Sequence, residues 1–122
     1  MISRTRKGKK GEDVAVEYLT RKGYRIVSRN FRWRGGEIDI IARKKGILVF
    51  VEVRSFSTSA MEINPVETIG PYKIQKLIKT AEFFVETHPE FQNHDLRFDA
   101  IGVKFNGKDV KIDHVENAFL KE

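Results

Sequence analysis

A chain of 122 residues without cysteine is the size of one domain with its own core, and it excludes disulfides, zinc–thiolate sites and a cysteine nucleophile. Its apolar runs are too short to span a bilayer and no apolar stretch follows the basic N-terminus, so no membrane partner and a cytoplasmic location are expected. The net charge of +6 is uneven: residues 4–10 carry five positive charges, 11–20 sum to −3, 21–45 to +7 and 46–122 to −3. Positive charge gathered in the first third suits a polyanionic partner, most simply nucleic acid.

In chain order, Arg4, Arg6, Lys7, Lys9 and Lys10 surround Gly8. Residues 1–10 read as a basic, flexible arm able to touch phosphates without reading sequence, with a solvated tail as the plainer alternative. Residues 11–122 read as the folded domain. Residues 11–22 have the spacing of a helix, with Val14, Ala15, Tyr18 and Leu19 forming its apolar stripe. Glu12 borders that stripe, whereas Asp13 and Glu17 face away. A strand is expected over Tyr24–Trp33, followed by a turn at Gly35-Gly36. Within it Arg32 and Arg34 are candidate phosphate ligands, while Trp33 either stacks on an exposed base or packs with Phe31 under the sheet.

Glu37–Arg43 and Ile47–Arg54 read as neighbouring strands joined by Lys44-Lys45-Gly46. Residues 55–70 form a long polar connection with the look of a functional lid or a disordered segment. Pro71 opens a helix whose Ile74, Leu77, Ile78, Ala81, Phe84 and Val85 share one face, and His88-Pro89 closes it. Lys73, Lys76 and Lys79 lie on its polar side, and Gln75 is surface polar or orients a substrate. Lys73 sits in the first turn, where the helix dipole disfavours a cation, so an anionic partner would account for it. Leu96–Phe105 alternates as a strand, Asn106-Gly107 signals a hairpin, and Val110–Val115 is a last strand. The order is α-β-β-β-α-β-β, a mixed sheet flanked by helices in an α/β fold. Asp99, in an apolar strand, is read as a structural hydrogen-bonding group. His88, His94 and His114 lack metal-ligand spacing.

Chemistry concentrates in the second and third strands. Asp39 and, thirteen residues later, Glu52 each put a carboxylate inside an apolar run, where an unpaired charge is costly. A divalent cation, Mg²⁺ or Mn²⁺, would satisfy both, and Arg54 on the face of Glu52 would neutralise charge on a phosphate. This requires the two acids to share a face, hence odd positions of one strand opposite even positions of the next. A three-residue loop setting Arg43 opposite Ile47 would separate them unless a bulge intervened. The plainer reading pairs Glu52 with Arg54 and leaves Asp39 at a wet edge.

Glu12, then Gly36-Glu37-Ile38-Asp39, then Phe50-Val51-Glu52-Val53-Arg54 resembles the restriction endonuclease-like, or PD-(D/E)XK, superfamily. More closely, Lys10-Gly11-Glu12, Arg29-Asn30-Phe31-Arg32, Phe50–Arg54 and Arg97-Phe98-Asp99 resemble the YraN-like family of uncharacterised bacterial proteins, itself similar to archaeal Holliday junction resolvases. The resemblance implies an endonuclease-like core, with Asp39 and Glu52 as metal ligands and Glu12 as an auxiliary acid in the metal shell. Arg54 stands where the superfamily usually has lysine, and guanidinium does not deprotonate in proteins. The expected activity is metal-dependent hydrolysis of DNA phosphodiester bonds, with branched DNA the implied substrate and a homodimer implied by symmetric cutting. The alternative is a nucleic-acid-binding module that keeps the fold without cleavage.

Overall fold

The structure is a computed structural model and describes residues 2–57 and 63–119, with only the main chain described for residues 2–8. Its elements are α1 (Ile2–Arg21), β1 (Arg25–Trp33), β2 (Gly36–Lys44), β3 (Ile47–Phe56), a 3₁₀ turn at Pro65–Thr68, α2 (Pro71–Thr87), a second 3₁₀ turn at Pro89–Phe91, β4 (Asp95–Asn106) and β5 (Asp109–Val115). The strands lie in chain order in one five-stranded sheet, antiparallel except for the parallel pair β3–β4, whose connection carries α2. The expected mixed sheet and element order are thus observed. No helix among the described residues is long and apolar enough to cross a membrane.

Helices cover both faces. Leu48 and Phe50 of β3 pack with Ile41, Leu77, Ala81, Phe84 and Phe98 on the α2 side. Val49 and Val51 pack with Ala15, Leu19, Ile40, Ala42, Ile101 and Val103 on the α1 side. A strand buried on both faces is apolar at successive positions, which explains the continuous run Ile47–Val51. It also isolates Glu52 at the end of that run, with 3 % of its side chain exposed.

The first helix begins at Ile2 rather than at residue 11, so the main chain of the basic run 4–10 is helical. Arginine and lysine favour helix, and each glycine there costs only about 1 kcal/mol. The apolar stripe that betrays a helix starts only where α1 meets the sheet, at Ala15 and Leu19. The described residues of the connection after β3 include structured backbone. β3 runs on to Phe56, and the turn at Pro65–Thr68 is capped by Asn64 and tied to β3 by Arg54 Nη2, which donates to the Thr68 carbonyl at 2.7 Å. Residues 58–62 of that connection lie outside the described residues.

Candidate functional site

The β2–β3 register decides whether the carboxylates can meet. Lys44 pairs with Ile47, Arg43 with Leu48 and Ile41 with Phe50, so the connection is the two-residue turn Lys45-Gly46 and odd positions face even ones. Continued past its last pair, Ile40–Val51, this register sets Asp39 opposite Glu52. Strict alternation ends there: Ile38 packs on the α2 side with Ile41, while Ile40 packs on the α1 side. The break falls at Asp39, whose Oδ2 accepts the Val53 N–H at 2.8 Å. The acid thereby takes a main-chain donor of the adjacent strand.

Glu52 Oε2 lies 2.9 Å from Lys73 Nζ and 3.8 Å from Arg54 Nη1. The anionic partner that its first-turn position called for is therefore, for Lys73, a buried carboxylate. The plainer pairing of Glu52 with Arg54 exists too, but as the longer contact. Among the described residues Asp39 has no such cation: burial, then the charge of Glu52, pushes its pKa up to about 7, against a smaller lowering by the Val53 N–H. Two acids thus stand together with the positive charge on one of them.

Glu12 is buried at the start of the sheet-facing part of α1, where Gly11 packs so closely that a Cβ would lie 1.9 Å from Ser55 Oγ. Its Oε1 accepts from Arg29 Nε (3.1 Å), Arg29 Nη2 (2.7 Å) and Asn30 Nδ2 (3.1 Å). Neighbouring residues of a regular strand point to opposite faces. Asn30 instead adopts φ 57°, and this left-handed kink lets both side chains reach one acid. Sequence reasoning missed Arg29 and Asn30 as partners of Glu12, although asparagine is the residue that most readily signals such a kink.

Can these groups hold a divalent cation? Among the described residues no group of three or more His, Asp or Glu side chains is placed to do so. Mg²⁺, however, is commonly bound by one or two carboxylates with water completing its shell. Asp39 Oδ1 and Glu52 Oε1 accept no hydrogen bond among the described residues, whereas the second oxygen of each is engaged. The buried Arg54 Nε–H is likewise without a partner there. Two open carboxylate oxygens, one acid carrying uncompensated charge and an open donor beside them fit a hard cation and an oxyanion.

The basic residues fall into separate places. Arg32 is exposed and 3.4 Å from Glu37, and Arg34 lies over the Trp33 ring at 5.3 Å. Lys9 and Lys10 are exposed, with Lys10 Nζ 5.3 Å from the Phe105 ring, while the side chains of Arg4, Arg6 and Lys7 lie outside the described residues. Lys76 lies over Tyr72 at 5.5 Å. Phe31 packs edge-on to Phe84 as core, and Trp33 stacks on Phe83 at 4.4 Å.

A second polar cluster centres on the fully buried Asp99. It accepts from Arg97 Nε (2.9 Å) and Nη2 (2.8 Å), His114 Nε2 (2.7 Å) and the Asn117 N–H (3.2 Å), and His114 Nδ1 lies 2.9 Å from the Tyr18 hydroxyl. Burial pushes the Asp99 pKa up, but the His114 and Arg97 hydrogen bonds outweigh it and hold the acid below its ordinary value. With its oxygens saturated, Asp99 fits the structural role read from the sequence.

Residues 11–103 match the model of the family described as "Uncharacterised protein family UPF0102". The chain is 48 % identical over 113 residues to a UPF0102 protein of Persephonella marina, covering 93 % of this chain and 92 % of that one. It is 42 % identical over 121 residues to one from a Sulfurihydrogenibium species (99 % and 100 % covered) and 44 % identical over 120 to one from Desulforamulus reducens (96 % and 98 %). A glycine–acid–isoleucine–aspartate strand set against a second acid-bearing strand is therefore found here in a chain that belongs to the uncharacterised UPF0102 family.

Proposed function

We propose that this protein is a divalent-metal-dependent nuclease of the restriction endonuclease-like superfamily that hydrolyses phosphodiester bonds in DNA. The observation that carries the reading is the β2–β3 register, whose last pair Ile40–Val51 leaves Asp39 and Glu52 close enough for the charge of one to raise the pKa of the other, with Lys73 and Arg54 beside the second acid. Asp39 Oδ1 and Glu52 Oε1 would hold Mg²⁺ or Mn²⁺, and Glu12 would support the shell from α1 through water. When bound, the metal supplies a water of lowered pKa and a Lewis acid at the phosphate.

The chain's own groups have distinct tasks. Lys73 pairs with Glu52 and orients it, and its ammonium stands where an incoming phosphate would shed charge. It thereby places an amine at the second acid, which position 54 fails to do. Arg54, anchored on the Thr68 carbonyl with its buried Nε–H unpartnered among the described residues, would stabilise developing negative charge through its guanidinium. Arg54 takes no proton, so proton acceptance falls to a carboxylate or to metal-bound water. Branched DNA and a symmetric homodimer remain the substrate and assembly that the resemblance implies.

One observation favours a rival. Glu52 is already neutralised by Lys73 and Arg54, as in a module that binds nucleic acid without cutting it. Cleavage of duplex, single strand, flap, fork and four-way junction with Mg²⁺ and with Mn²⁺ separates the two. Cutting by wild type, lost in both Asp39→Ala and Glu52→Ala, supports the nuclease. Tight binding without cutting by any variant supports the module, and equal cutting by all three removes the site.

A further inference from the structure

Between the β1–β2 turn and the first half of α2 lies a groove of about 380 Å³, walled by Trp33, Arg34, Tyr72, Gln75, Lys76 and Lys79. Its floor is the meeting of Gly36 with Thr80, so close that a Cβ on Gly36 would lie 2.1 Å from Thr80 Oγ1. Tyr72 is 73 % exposed, unusual for a large ring, with the Lys76 ammonium over it at 5.5 Å. Across the groove Trp33 is braced from behind by Phe83, with planes 8° apart.

A purely apolar ligand would leave Arg34, Lys76 and Lys79 without counter-charge, and a simple anion would leave Tyr72 wet. A ligand that suits both is a flat ring joined to a phosphate, that is, a nucleotide. Within a duplex the base faces are already stacked, so the nucleotide must be unpaired. Lys76 follows Lys73 at the helical i, i+3 spacing, and Lys73 touches Glu52 at 2.9 Å. On the other wall Gly36 leads along β2 to Asp39. Both walls therefore run from the groove to the carboxylates.

We propose that this groove binds an unpaired nucleotide of a DNA strand next to the phosphate offered to Asp39 and Glu52. This rests on reading the carboxylate pair as a phosphodiester-cleaving site, and it makes DNA that is single-stranded or locally unpaired at that point the preferred substrate. Tyr72 supplies the stacking face, Lys76 and Arg34 the phosphate contacts, and Trp33 the back wall.

Trp33 is the chain's one tryptophan, so its emission reports on the groove directly. Wild type and Tyr72→Ala are titrated in EDTA with a short oligothymidylate and with a blunt-ended, fully paired two-strand duplex. The single strand is expected to quench Trp33, and Tyr72→Ala to weaken binding about tenfold, the usual effect of losing one base–aromatic stack. The duplex is expected to leave the emission unchanged. Equal affinity of Tyr72→Ala and wild type for the single strand, or equal quenching by the duplex, overturns the proposal even if wild type cuts DNA. Tyr72-dependent quenching, with no cutting in Mg²⁺ or Mn²⁺, instead removes the cleavage reading and keeps the nucleotide site.

Discussion

Placing one carboxylate beside another in a partly desolvated site favours the protonated form, and Asp39 titrates at about 7 because of burial and the charge of Glu52. Its folded pKa lies above the unfolded value, so between about pH 4 and pH 7 the folded state holds the extra proton. Stability from this group therefore falls as pH rises through that window and stays low above it. Without metal, Asp39→Asn is expected to raise the melting temperature at pH 8, by about 1–3 kcal/mol of stability, and to change little at pH 4. The same variant should lose the stabilisation that Mg²⁺ or Mn²⁺ gives wild type, since a cation relieves the repulsion that asparagine no longer has. Thermal melts at both pH values, with EDTA and with each metal, check both outcomes. Equal melting of the two proteins at pH 8 would mean that Asp39 is not strained by its charge.

At the scale of elements, the Asp99 cluster joins three of them: Tyr18 from α1, Arg97 and Asp99 from β4, and His114 from β5. Asp99→Ala removes the one acceptor on which Arg97 and His114 converge, leaving Arg97 with the Tyr24 hydroxyl and Glu116 and His114 with the Tyr18 hydroxyl. A loss of about 3–5 kcal/mol is expected, as for one partner removed from a buried ion pair, and denaturant unfolding measures it. Because the folded pKa of Asp99 is depressed, its contribution is complete above the ordinary carboxylate range and is lost as pH falls below it. The acid limb of wild-type unfolding should accordingly flatten in the variant. This cluster was only partly legible in the sequence. A lone aspartate in an apolar strand announces a partner, but Tyr18 and His114 stand 96 residues apart, and no local pattern links them. The sheet was easier to read, because alternation, the turn at Gly35 and the apolar run of β3 are all local signals. Asp39 and Glu52 were legible for the same reason. Lys73 on Glu52 was half legible: its place in the first turn of α2 called for an anion, but only tertiary packing says which one. The early start of α1 was hidden, because its first turns carry charge and glycine where an apolar stripe would have marked them.

For the whole molecule, 23 basic residues stand against 17 acidic ones, and several of the basic residues are held by internal ion pairs that leave the net excess in place. Arg29 is held by Glu12 and Asp13, Arg97 by Asp99, Lys104 by Asp113 and Lys73 by Glu52. Outward-facing positive charge is spread over the described surface, at Lys9, Lys10, Lys22, Arg25, Lys45 and Lys108, with one group at the groove formed by Arg34, Lys79 and the half-buried Lys76. With about five phosphates neutralised, single-strand affinity should fall with a log–log salt slope of about −3.5. Titrations between low and moderate salt measure it, and a slope near zero would exclude a nucleic-acid surface.

The turn Lys45-Gly46 holds no chemistry, yet it governs whether chemistry is available at all. Its two residues act as a phase-setting spacer. Insert or delete one of them, and every side chain beyond it on β3 exchanges one helix for the other as its neighbour. Glu52 would then look toward α1, and Asp39 would be left facing valine. A change of two residues would keep the phase. The turn is bound in conformation as well as in parity, since Lys45 holds φ 56°, and a single-codon insertion there would part the two carboxylates, with every one of the site's residues intact, unless a bulge absorbed it.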